Sequence, residues 1–509
     1  MIQIDGTQLT IPEVIAVSRS GDLVRLSDVA RQHMAQSNQW VEEIIAAQRP
    51  VYGINTGFGI FADRSISPQD ATRLNRNLII SHAVATGPAL STEIVRAAIL
   101  IRANTLASGY SGVRPLLVDT LLEMLNKKVI PIVPSQGSLG SSGDLAPLSH
   151  LALVFTCDEN GKDEESGWAE HSGKKMSGKQ AMHQAGIPPI ILGPKEGLAL
   201  TNGATFSAAI AALAVADAMH LLSVAEITLA MSLEALLGVS AAFDPRLHKA
   251  RRHPGQLFVA NRVCNLIQGS TLINPPGKVQ DAYSLRCAPQ VQGAARDAAS
   301  HTHEVISREI NAATDNPLLF DHDVAISGGN FHGEPVGIVM DYLSIAMAET
   351  GAISERRIFR LTDAKLNSGL PPMLVNQIAD AGLNSGMMMS QYTAASLVLE
   401  NQTLSNPDSV HSLPTSAEQE DHNANSMTAA RNTRQVIENT AHILAIEAYC
   451  AARALDLRLR EIPAARLGDG VQVAYQRIRD QVPYQAGDSL WGPEIERVHQ
   501  LVLDPNFVT

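Results

Sequence analysis

The stretch Gly137-Ser138-Leu139-Gly140-Ser141-Ser142-Gly143-Asp144-Leu145-Ala146-Pro147 places small residues between two apolar runs, VIPIVPSQ before it and LSHLALVF after it. A flexible Gly/Ser linker has polar flanks. This stretch is hemmed in by residues that seek a core, which predicts a buried, fixed loop. A phosphate-binding loop needs Gly-Lys-Ser/Thr after its glycine-rich turn, and here the anionic Asp144 follows Gly143. A nucleophile elbow needs Gly-x-Ser-x-Gly, and neither Ser141 nor Ser142 has glycine at both offsets. Both chemistries are excluded.

Other chemistry-bearing residues lie far apart in the chain. Tyr52, in VYGINTGFG, is either an aromatic anchor in a turn-rich loop or a phenol with work to do. A free phenol titrates near ~10, so its setting must activate it to act as a base at neutral pH. Ser81-His82 follows the apolar run NLII, and Asn202 precedes a long apolar segment, where a helix cap is the plain explanation. Gln280, Tyr283 and Arg286 recur every three residues in GKVQDAYSLRCAPQVQG, so a helix there would show them on roughly one face. The planar fork of Arg286 suits a two-pronged grip on a carboxylate. Asn316 in INAATDNPLLF, Phe331 in SGGNFHGEPVG and Glu420 in HSLPTSAEQEDH complete the set. His301-Thr302-His303-Glu304 looks metal-like, but residues two apart do not share a helix face. No CxxC pair occurs among the four cysteines, so no thiol-ligated zinc site is expected.

Long helices must position these residues. ATFSAAIAALAVADAMHLLSVAEITLAMSLEALL carries Asp217, His220, Glu226 and Glu234, and its longest charge-free run, Ala204 to Ala216, is shorter than the roughly 18 residues of a membrane span. It predicts a buried helix of roughly 50 Å at 1.5 Å per residue. YLSIAMAETGAISERRIFRL and NTRQVIENTAHILAIEAYCAARALDLRL also have helical period, and together they predict an elongated bundle over residues 201–509. Residues 1–200 read as a mixed domain. It has small strands near QIDGTQLTI, amphipathic helices at DVARQHMAQSNQWVEEIIAAQ and STEIVRAAILIRANTLASG, and an exposed loop or hairpin between Cys157 and Gly186. Few aromatics (4%) and abundant Ala and Leu favour a mainly α protein. The net charge of −12 disfavours a nucleic-acid surface. The start MIQIDGTQLTIPEV lacks a basic, then apolar, secretory leader, so a cytoplasmic location is expected.

GSLGSSGDLAPLSH resembles the signature of the aromatic amino acid lyases, the histidine, phenylalanine and tyrosine ammonia-lyases and related aminomutases. The other motifs follow in family order from Tyr52 to Thr440. The likeness to fumarase- or aspartase-type lyases is weaker: their Gly-Ser-Ser loop continues with Met-Pro and a lysine, whereas GDLAP follows here. The resemblance implies a helical fold of the fumarase/aspartase-like superfamily and a homotetramer with sites shared between subunits. It also implies a self-made methylidene-imidazolone (MIO). In that chemistry the nitrogen of Gly143 attacks the carbonyl carbon of Ser141 and two waters leave, with Ser142 becoming the methylidene. Ser141 stands where the family usually has alanine, and only its Cα and carbonyl enter the ring.

By the same resemblance Tyr52 is the base for the substrate β-proton and Tyr283 lies near the electrophile. Asn202 contacts the group, Phe331 lies beside it, Asn316 belongs to the polar network, Gln280 binds substrate, and Arg286 holds the substrate carboxylate. Ser81-His82 and the Gln-Glu-Asp-His run at Gln419–His422 match histidine ammonia-lyases, where phenylalanine and tyrosine enzymes carry a neutral amide in place of Glu420. A carboxylate suits an imidazole and would be desolvated without a partner against a phenyl ring. The expected activity is therefore release of ammonia from L-histidine to give urocanate, with no external cofactor. The alternatives are a lyase or 2,3-aminomutase for another aromatic amino acid, and a catalytically silent homologue.

Overall fold

The computed structural model describes residues 1–67, 70–158 and 165–508, and the fold is mainly helical. The chain forms two compact units. The first comprises Met1–Ala214, His303–Asp341 and Pro407–Arg431; the second comprises Val215–Thr302, Tyr342–Asn406 and Asn432–Thr509. The boundary predicted near residue 200 thus lies at Ala214 instead, and two later segments join the first unit. Hydrogen bonds between residues distant in sequence hold them there. Leu9 N donates to Asn311 Oδ1 at 2.8 Å, and the amides of Ala424 and Asn425 donate to Leu139 O at 3.2 and 2.7 Å.

The first unit begins with the short strand Ile2–Ile4, which runs parallel to Val24–Leu26 with Ile2 opposite Val24. The Ser27 hydroxyl accepts the Ala30 amide at 3.1 Å and starts the helix Asp28–Ala46. That helix packs Val41 and Ile44 against Ile54 and against Leu319 of the hairpin Leu318–Asp321/Val324–Ile326. Burying each of these side chains stabilises by about 1.5–3 kcal/mol, and the cluster anchors the turn that carries Tyr52.

The helix Thr92–Ala107 departs from the predicted amphipathic form, since every residue from Ile94 to Ala107 is buried. Two of its buried polar side chains find backbone partners. Arg96 donates to Val17 O at 2.7 Å and to Leu125 O at 3.1 Å, and Asn104 donates to Ile310 O at 2.9 Å. A polar residue satisfied in this way counts as core, which periodicity alone cannot reveal. The segment predicted as a loop or hairpin contains the antiparallel pair Trp168–His171/Lys174–Ser177 and the helix Gly178–Gln184, while its residues 159–164 lie outside the described residues.

The predicted long helix is Thr205–Ala235, 31 residues or about 46 Å, most of it in the second unit. Its acidic residues there face protein partners. Glu226 is paired with Arg296 at 2.5 Å and Arg262 at 3.2 Å, and Glu234 accepts the Gly468 amide at 2.9 Å. The other long helices are Ala288–Glu309, Glu334–Thr362 and Ser426–Glu461. Inside the second unit the fully buried Glu447 accepts from Thr228, Ser232 and Ser354 at 2.6–2.8 Å and from Arg357 at 2.5 Å. Such a charge is tolerable only when every lone pair is occupied.

Candidate active site

The loop of small residues is rigidly held, buried at Gly140, Ser141, Gly143 and Asp144 but exposed at Gly137 and Leu139, so the predicted burial holds only for its second half. Gly143 has φ +90°, and a Cβ there would sit 2.1–2.3 Å from the backbone of Gly203. Only glycine fits, because both the backbone angle and the close approach exclude a side chain. Hydrogen bonds from Gly203 N to Ser142 O and from Asp144 N to Gly203 O, each 3.0 Å, clamp the triplet. Asp144 begins the helix Leu145–Phe155 and is fully buried. Its carboxylate accepts from the Ser138 hydroxyl at 2.7 Å and from the Ser207 amide and hydroxyl at 2.8 and 2.9 Å. Burial pushes its pKa up, against these hydrogen bonds.

Glu420 reaches the triplet from the segment Pro407–Arg431. Its Oε2 accepts from Ser141 and its Oε1 from Ser142, both at 2.8 Å. A tight turn presents it. Thr415 and Glu420 pair backbone to backbone, and Ser416, Ala417 and Glu418 between them all have positive φ. Left-handed backbone at residues with a Cβ costs about 1–2 kcal/mol each, which the rest of the fold must offset to keep the carboxylate in place. The side chains present fit the implied ring. The glycine is in a cradle no Cβ could enter, the central serine has its hydroxyl against a carboxylate, and the flanking backbone is fixed.

Ser141, Ser142, Tyr52, Asn202, Asn316 and Phe331 all line one cavity of about 620 Å³ beside Glu420. The Tyr52 oxygen accepts the Gly59 amide at 3.4 Å. The Asn202 side chain donates to Asn316 O at 3.3 Å, and Asn316 bridges the Ser327 hydroxyl at 3.1 Å and the Gly328 amide at 2.7 Å. Asn202 closes the helix Glu196–Thr201, so its place is a helix C-terminus rather than a cap for the helix that follows. His82 lines an adjoining cavity of about 770 Å³ that shares Tyr52, Ser142, Asn202 and Glu420. Its Nδ1 is 3.0 Å from the Ser81 hydroxyl. Burial lowers its pKa, which favours the neutral ring at physiological pH.

Gln280, Tyr283 and Arg286 belong to the second unit, and none lines either cavity. The predicted helical face is shorter than expected. The helix spans only Tyr283–Arg286, and Gln280 precedes it. Arg286 nonetheless donates to Gln280 Oε1 at 2.8 Å and stacks 4.9 Å from the Tyr283 ring, which is 70% exposed.

Several site residues escaped sequence reasoning. The fully buried pair Lys195 and Asp315 bonds directly behind Asn202 and Asn316, and burial lowers the lysine's pKa. Arg102, also fully buried, donates to Asn202 O and Thr205 Oγ1, and burial brings its pKa down to about 10. His332 and His422 stack at 5.8 Å on the cavity wall. The run Gln419–His422 was the one local signal for this group; nothing local marks Arg102 or Lys195.

The helical fold and the clamped Ser-Ser-Gly loop with its facing carboxylate go with a carbon–nitrogen lyase, the class to which the comparisons assign the chain. The sequence model described as aromatic amino acid lyase matches residues 9–480, and the chain belongs to that family. It is 46% identical over 510 residues to a histidine ammonia-lyase of Alkaliphilus metalliredigens, covering 100% of this chain and 97% of that protein. Among solved structures it is similar to a histidine ammonia-lyase from Trypanosoma cruzi, with TM-score 0.89, 36% identity, and 98% and 93% of the two chains covered. It is also similar to a tyrosine aminomutase from Streptomyces globisporus, with TM-score 0.91, 34% identity, and 99% and 97% covered.

Proposed function

We propose that this protein eliminates ammonia from L-histidine to give urocanate. The observation that carries the reading is the Glu420 carboxylate, held at 2.8 Å from both serines of the triplet and lining the cavity together with Tyr52. An imidazole offers that carboxylate an N–H, and a phenyl ring does not. Identity to histidine ammonia-lyases along the whole chain supports the same substrate.

The methylidene-imidazolone from Ser141, Ser142 and Gly143, once formed, supplies an electrophile that makes the substrate amine a better leaving group. Glu420 and the neutral ring of His82 orient the imidazole. Tyr52, on the cavity wall, takes the β-proton. Asn202, Asn316 and Phe331 hold the polar and apolar walls, and the Lys195–Asp315 pair keeps the two asparagines in place. Arg286, with Gln280 and Tyr283 beside it, grips the substrate carboxylate in a site of a second copy of the chain, and a homotetramer with shared sites brings the two parts together. The exposed Tyr283 supports this assembly, as do the exposed Met388, Met389, Tyr392 and Leu399 on one helix. All four cysteines are free, as suits a reducing cytoplasm.

The test combines intact mass with urocanate absorbance. Maturation lowers the chain mass by two waters, and L-histidine then gives urocanate. An unshifted mass supports the silent homologue, whereas a matured protein that ignores histidine and acts on tyrosine or phenylalanine supports the alternative substrate. A β-amino acid product identifies an aminomutase.

A further inference from the structure

A second cluster of chemistry-bearing side chains lies in the second unit. His442 comes from the helix Ser426–Glu461, and Glu496 and His499 come from the helix Trp491–Leu503, three residues apart and so on one face. One ligand atom from each lies within 4.8 Å of the others. Oε1 of Glu496 is 3.5 Å from Nδ1 of His499, and Oε2 is 3.9 Å from Nε2 of His442. The His499 side chain is more than nine-tenths buried, yet neither ring nitrogen has a hydrogen-bond partner. Leaving a buried imidazole unsatisfied is costly.

The surroundings prepare each group to ligate. Nδ1 of His442 lies 3.0 Å from Glu438 O and can only donate to that carbonyl, so Nε2 is the ring atom turned toward Glu496. The Glu496 carboxylate is braced by Gln500 Nε2 at 2.9 Å and stays partly open to solvent, leaving room for a water.

We propose that His442, Glu496 and His499 form a binding site for a zinc-type divalent ion that ties the helix Trp491–Leu503 to the helix Ser426–Glu461. Two imidazoles and a carboxylate suit zinc. Zinc–ligand bonds of about 2.0–2.2 Å put tetrahedral ligand atoms about 3.3–3.6 Å apart, close to the 3.5 and 3.9 Å from Glu496 to the two rings; the rings, stacked at 3.7 Å, must turn apart for both in-plane lone pairs to meet one ion. The site is separate from the proposed elimination, which uses none of these residues, and it stands or falls independently of that function. The only other such cluster among the described residues, Asp321-His322-Asp323, is fully exposed, and its His322 Nδ1 already pairs with Asp321 at 2.9 Å.

The experiment titrates Zn²⁺ into the chelator-treated full-length protein by calorimetry and follows the melting temperature, with Co²⁺ as a spectroscopic probe. The expected result is one zinc per chain with micromolar or tighter affinity, a raised melting temperature, and a visible Co²⁺ absorption of a four- or five-coordinate site. His442→Asn, His499→Gln and the solvent-side Glu496→Gln each weaken zinc at least tenfold, while His322→Asn leaves it unchanged. Glu496→Gln covers the case in which a buried histidine variant fails to fold. Absence of zinc binding overturns the proposal, as does zinc retained at full affinity in Glu496→Gln and His442→Asn or lost in His322→Asn.

Discussion

Replacing Glu420 by glutamine separates two tasks of one carboxylate. In the unprocessed chain its oxygens accept from Ser141 and Ser142, both at 2.8 Å. Dehydration of Ser142 removes the second hydroxyl, so Oε1 is released toward the cavity of about 620 Å³ in which the imidazole binds. Glutamine keeps one acceptor and turns the other oxygen into a donor. A hydrogen bond to a charged group contributes about 1.5–3 kcal/mol. At about 1.4 kcal/mol per tenfold, its loss lowers kcat/KM for L-histidine by roughly 10- to 150-fold. The assay is urocanate formation by a variant whose intact mass has been measured, so that activity is expressed per matured chain. Phenylalanine gains nothing from the carboxylate, and a neutral amide spares its ring an unpaired anion, so its relative turnover rises. A fully matured Glu420→Gln that turns over histidine at the wild-type rate would refute the role given to this side chain.

Four further outcomes follow from the same geometry. Gly143→Ala drives a Cβ into Gly203 at 2.1–2.3 Å; overpacking of this kind costs about 1–3 kcal/mol, so the melting temperature falls and the mass shows no loss of two waters. Tyr52→Phe matures normally, but its urocanate formation drops by about 10²–10⁴, the usual contribution of a general base. Lys195→Met leaves Asp315 buried without its cation and destabilises by about 3–5 kcal/mol in denaturant titrations, much of it recovered in the double variant with Asp315→Leu. Burial raises Glu234 from 4.5 to about 8, so between those pH values the folded chain holds more protons than the unfolded one and stability falls as pH rises through the window; Glu234→Gln removes this slope, melting roughly a few degrees higher than wild type above pH 8 and level with it below pH 4.5.

What could be read locally in the sequence was the chemistry of adjacent residues. Ser141, Ser142 and Gly143 are neighbours in the chain, and their types between apolar runs already demanded a fixed, buried loop. The helix Thr205–Ala235 was legible for a similar reason, because its apolar length outweighs four ionisable interruptions. What escaped was polarity satisfied at a distance. Arg102 lies on a helix that looks half-exposed by period, yet it is fully buried because the carbonyls of Ala199 and Asn202, about a hundred residues on, accept its protons. Lys195 and Asp315 are 120 residues apart and carry no motif, yet each makes the other's burial tolerable. The same limit explains Gln280, Tyr283 and Arg286. Their spacing suggested a shared helical face, but the single turn Tyr283–Arg286 brings Arg286 back to Gln280 through side chains instead. A guanidinium stacked on an exposed tyrosine and bonded to an amide is already oriented before any substrate arrives. On the proposed assembly that pre-orientation is what a second copy needs to contribute, since a carboxylate grip formed by docking cannot depend on contacts within the first copy's cavity.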